Sequence, residues 1–171
     1  MNKKIKKIFI NFLFFFMLFI AQLAIIANAA YPLNRLQLFL SLLSVMLLFN
    51  KNDNCIWAWW ILFAVVLNSY SIYPIFVIPL ILTITILISD FSFNNFFTNR
   101  SYYSLLAVCF IATIFYNIFL LWLKHILDNL YFQNMNFVFD VFLTDLLWQI
   151  LLNSFIAIIF FAFFKRLKYA R

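Results

Sequence analysis

From Thr144 to Phe164 the chain runs for 21 residues with one charged side chain, Asp145. As a helix rising 1.5 Å per residue, such a run is about as long as the roughly 30 Å hydrocarbon core of a bilayer is thick. In lipid the backbone must find its hydrogen bonds within its own helix, so a run like this fixes the architecture before any other feature is considered. Five further apolar runs precede it. We expect spans at about 8–30, 33–49, 55–68, 73–90, 102–123 and 144–164. The fold class is therefore all-α, a polytopic transmembrane bundle of six helices forming a single integral membrane domain over 1–171. Composition agrees: 68% of residues are apolar, against about half in ordinary soluble domains. The skew toward Phe, Ile and Asn is also what codon bias in an AT-rich genome produces, so no aromatic site is read into the 26 Phe. The absence of Gly excludes phosphate-cradling loops, GxGxxG turns, nucleophile elbows and GxxxG faces.

The first run follows Lys3, Lys4, Lys6 and Lys7 and is interrupted by Asn11, Gln22 and Asn28. A basic start and Ala27-Asn28-Ala29 imitate a signal peptide, but the apolar run is longer than a signal core, and we expect an uncleaved helix. Tyr31-Pro32 then breaks the chain. The third and fourth segments are short enough to dip into the bilayer and return, with a kink expected at Pro79. Asp90 to Ser101 reads as a polar loop. From Leu123 to Tyr131 the apolar residues recur at helical spacing opposite Lys124, Asp128 and Asn129, as in a helix leaving the membrane along its surface. A linker, Phe132 to Leu143, leads to the last span.

Charge bias sets the orientation. With both termini cytoplasmic, the inner side receives Lys3, Lys4, Lys6, Lys7, Lys51, Arg100, Lys165, Arg166, Lys168 and Arg171, and the outer side only Arg35 and Lys124. Ten against two follows the positive-inside rule. The net charge of +7 thus reflects topology, and nucleic-acid binding is not expected.

The residues that carry chemistry are few. Asp145, Gln149 and Asn153 are spaced by four, which puts them on one helical stripe of roughly 80°. That stripe must face protein or a wet cavity. We favour Thr144 as a cap, Asp145 offsetting the positive helix end, and the two amides as links between helices; a ligand or proton path is the alternative. Thr113 and Asn117, also four apart, stand where they could meet Gln149 and Asn153. Asp90 and Arg100 bracket the expected inner loop, and with Lys124, His125 and Asp128 they are the candidate partner contacts. His125 and Asp128 resemble a base with its orienting acid, but no nucleophile is placed near them by sequence. With one His and no Glu, the chain is poor in metal ligands; no catalytic residue, cofactor or metal is expected, and Cys55 and Cys109 read as packing thiols.

The order of features resembles the MreD family of bacterial cell-shape proteins: a basic start, a first helix containing Ala21-Gln22-Leu23, then Pro32-Leu33-Asn34-Arg35-Leu36 opening the second helix. Two short segments around a small turn follow, and a final pair of helices ends in a basic tail. The resemblance implies a small non-enzymatic scaffold in the inner membrane, part of the wall-elongation machinery. Its partners would be an MreC-like single-span protein and wall-synthesis membrane proteins, with Lys124 to Leu143 as a docking surface. Six helices in 171 residues also resemble the substrate-binding subunits of energy-coupling-factor transporters, which hold a small molecule. Those often carry Ala-xxx-Ala in the first helix, whereas Ala21, Ala24 and Ala27 here are three apart.

Overall fold

The computed structural model describes residues 13, 16–49, 55–69, 76–97, 101–131 and 139–169; the side chains of 55–59, 66, 69, 127–131 and 167–169 are outside that description. Among the described residues there are six helices and no strand: α1 Phe16–Ile26, α2 Leu38–Phe49, α3 Cys55–Ser69, α4 Val77–Phe96, α5 Tyr102–Tyr131 and α6 Phe139–Tyr169. Three of them, α4, α5 and α6, are long and apolar enough to cross a membrane. The helix count matches the expectation; several boundaries do not.

The first helix stops at Ile26 instead of reaching Ala30, its last stretch Ala21–Ile26 widening to π-helical pitch. The second run is not one span over 33–49. Leu33–Arg35 is a 3-10 turn and the helix proper holds only Leu38–Phe49. The fourth segment is not short: α4 runs for 20 residues, passing through Asp90 and on to Phe96. Its extension has a packing cause. Ser89, Ser92 and Phe93 continue the buried face of Ile78, Ile81, Leu82, Thr85 and Ile86 at helical spacing, so the stretch that looked like a loop has a core to join. Pro79 sits in the first turn of α4, where a missing N–H costs no helical bond, so it gives no interior kink. The last helix begins at Phe139, five residues before Thr144. Thr144 is therefore no cap; its hydroxyl donates to the Asp140 carbonyl, and Asp140 occupies the first turn. α5 continues unbroken to Tyr131, in keeping with the expected helical tail.

α4, α5 and α6 pack in chain order, with α3 against α4, while α2 lies against α6, α5 and α3. Ten of the twelve α2 residues are buried, so this short helix is the centre of the bundle. Phe39 meets Phe63 of α3 at 4.6 Å between rings. Leu42, Leu43, Val45 and Leu48 join Leu105 and Val108 of α5 and Ala157 and Phe161 of α6 in one cluster. At its far end Phe49 packs on Phe161 and Phe164, Tyr102 of α5 packs on Phe161, and Lys165 lies over the Tyr102 ring at 5.6 Å.

Those contacts also give depth. From Asp145 to Lys165, twenty residues of α6 rise about 30 Å, the thickness of a hydrocarbon core. Arg35 meets Asp145, Gln37 meets Asn153 and Phe49 meets Phe161, so α2 runs parallel to α6. Asn153 lies about 18 Å from Lys165 along the helix, and twelve residues of α2 also rise about 18 Å. The second helix thus covers little more than half the depth of the bundle, and the stretch from Leu33 to Gln37, outside the α-helix and tied to α6 through Arg35 and Gln37, continues toward the Asp145 end.

Candidate functional site

Irregular backbone at that depth is tolerated only where its polar groups find protein partners. Two side chains from neighbouring helices supply them. Gln22 of α1 accepts from the Leu38 N–H at 2.9 Å and donates to the Leu36 carbonyl at 3.1 Å. Asn153 of α6 accepts from the Gln37 N–H at 2.9 Å. The first N–H groups of a helix have no intrahelical acceptor, and normally a local Ser, Thr, Asp or Asn takes them. Here the cap comes from other helices.

Asn153 is the hub. Its side chain is fully buried, and its Nδ2 donates to Thr113 Oγ1 at 3.3 Å. Thr113 in turn donates to the Cys109 carbonyl at 2.8 Å, and Ser41 of α2 donates to the Asn153 carbonyl at 3.1 Å. One turn along α6, Gln149 accepts from Asn117 Nδ2 at 2.6 Å, and the same amide donates to the Thr113 carbonyl at 2.7 Å. A further turn along, Asp145 pairs with Arg35 at 2.8 Å, with side chains 23% and 46% exposed. That exposure keeps the pair in the weak class of ion pairs, worth about 0–1 kcal/mol. On the other side of Asn153, the Cys109 thiol lies among the hydroxyls of Ser44, Thr113 and Ser154.

The structure brings the members of the expected stripe to partners on other elements. Asp145, Gln149 and Asn153 share one face of α6, and Thr113 and Asn117 meet its last two members across α5. Asp145 does not offset its own helix end; it lies six residues inside α6 and binds Arg35. Arg35, Gln22, Gln37 and Ser41 are the members that spacing along the chain does not reveal. Gln22 carries a signal as the amide nearest the middle of the first apolar run, and Arg35 as the cation expected at the same membrane face as Asp145. The remaining candidates stand apart. Asp90 is in helix α4, not in a loop. Lys124 is half-buried and His125 exposed on α5 beyond the ladder, while Arg100 and the side chain of Asp128 lie outside the described residues.

Chemically, the ladder pairs an amide atom on each of Asn117, Gln149 and Asn153 with a donor or acceptor of opposite kind. Among the described residues no three His, Cys, Asp or Glu side chains gather. No protein-family model matches the chain, and neither a curated protein nor a solved structure does.

Proposed function

We propose that the chain is a non-enzymatic scaffold subunit of the bacterial inner membrane, acting in cell-shape and wall elongation as the MreD family does. Its partners are then an MreC-like single-span protein and the wall-synthesis membrane proteins. The observation that supports this reading is the ladder. Gln149 and Asn153, the buried polar side chains best suited to a small molecule, are bonded to Asn117, Thr113 and the Gln37 backbone. A ligand would have to displace those bonds, and one of them caps a helix. A scaffold needs a rigid bundle with its polar groups turned inward, and that is what such a ladder builds.

The orientation belongs to the same proposal. Phe49 and Tyr102 stand two residues from Lys51 and Arg100 in sequence, and both aromatics pack at the Lys165 end of α6, whereas Arg35 is at the Asp145 end. With the Lys165 end cytoplasmic, this grouping follows the positive-inside rule.

The test is purification from the native membrane in mild detergent, with crosslinking and mass-spectrometric identification of what accompanies the chain. Recovery of a single-span MreC-like protein with wall-synthesis enzymes is the expected result. Recovery of a membrane coupling subunit with ATPases would overturn the scaffold reading in favour of a transporter subunit.

A further inference from the structure

α4 is one of the three helices able to cross a membrane, with a mean hydropathy of 1.8 over its most apolar window. It carries one charged residue, Asp90. Thirteen residues separate Asp90 from Val77 and six separate it from Phe96, so the carboxylate stands about 20 Å and about 9 Å from the two helix ends. It is half-buried, at the flank of the face that Ser89, Phe93 and Ile86 bury against the bundle. Thr83 and Asn94, seven residues before it and four after, lie on the same flank, and Leu87 beside them is 51% exposed. A carboxylate there, set against lipid tails, is costly unless a cation or donor meets it.

Among the described residues, the helices of the bundle offer no cation at that depth. Among the described residues the ion pair formed is Arg35 with Asp145, near the opposite end of the bundle. α2, α3, α5 from Tyr102 to Leu123 and α6 from Leu146 to Phe164 contain no Lys, Arg or His at all. A second copy is equally unable to supply one from its spans. Cationic lipid headgroups sit at the bilayer surface, beyond the helix end.

We propose that Asp90 is a docking point for a transmembrane helix of another protein, one that carries a lysine or arginine about two turns inside the basic end of the bundle. Charge complementarity selects that partner: a membrane-embedded cation has the same need for an acid as Asp90 has for a cation, and lateral association satisfies both. The Thr83, Asp90 and Asn94 flank then becomes the interface, with Leu87 at its centre. This inference goes beyond the scaffold reading and does not depend on which machinery the partner serves.

The test places a photoreactive residue at Leu87 of the full chain in its native membrane and sequences the crosslinked peptide. The expected product joins position 87 to a membrane-spanning segment that contains Lys or Arg. Asp90→Asn should lower its yield at least about tenfold, and Asp90→Glu should retain it. Crosslinking to lipid alone, to the chain's own 98–100 segment, or to a segment without a cation would overturn the proposal, as would unchanged yield in Asp90→Asn. Should Asp90→Asn lose its monodisperse elution, a charge exchange decides. Asp90→Lys together with an acid in place of the partner's cation restores the product if the proposal holds, and a product still missing overturns it.

Discussion

Asn153 accepts the backbone N–H of Gln37 at 2.9 Å, joining residues 116 apart in sequence so that a side chain of the last helix caps the second. Replacing Asn153 by Leu removes that acceptor and the donor to Thr113 and leaves a backbone N–H unpaired inside the bundle. The expected cost is about 1–3 kcal/mol, the range for stranding a buried polar group. Reversible unfolding in mixed micelles measures it. Thr113→Val removes the acceptor of the Asn153 Nδ2 and leaves the bond to Gln37, so the difference between the two costs separates the cap from the Thr113 bond.

Gln22 makes the companion contact to Leu36 and Leu38. In Gln22→Leu the start of α2 should fray while its far end, packed by Phe49 on Phe161, stays protected. Amide hydrogen exchange reads this directly: faster exchange at Leu38 with little change at Leu47 or Leu48 is the expected pattern. Uniform acceleration along α2 would contradict a local clamp.

Arg35 and Asp145 call for a double-mutant cycle. Their partial exposure predicts a coupling of about 0.2–1 kcal/mol that shrinks as salt is raised. A coupling above that range, insensitive to salt, would show that the pair is shielded in the assembled membrane state.

Asn117 and Gln149 form a mutual pair, and single and double replacements should not add. Asn117→Ala strands the Gln149 carbonyl and should cost more than Asn117→Ala with Gln149→Leu does relative to Gln149→Leu alone. Thermal unfolding of the four proteins in one detergent closes the cycle.

The termini offer a coarser check. A reporter fused after Arg171 should be active only in the cytoplasm; activity on the outer side would remove the even number of crossings that groups the basic residues on one face.

Much of the ladder was legible because a polar residue at every fourth position of an otherwise apolar helix forms a seam that lipid tails cannot satisfy, so it has to meet another helix. Thr113 with Asn117 repeats that spacing one helix earlier. The partners on the irregular stretch were not legible. Hydropathy rates Leu33, Leu36 and Leu38 alike, so it does not mark where the second helix begins, and nothing local to Gln37 indicates an acceptor 116 residues away. The extension of α4 escaped for a related reason. Ser89, Ser92 and Asn94 count as polar in a window average, although the first two lie on the buried face and only Asn94 is exposed.

The borrowed cap sets an order of events during synthesis. A twelve-residue helix is marginal by itself, and the start of α2 is completed by groups on α1 and α6. A ribosome that has delivered the first five helices has not yet delivered Asn153. The second helix is consequently among the last to be fixed in place, and nascent chains halted before Phe139 should leave the Gln37 N–H open to exchange that the finished protein slows, while Leu38 keeps its bond to Gln22.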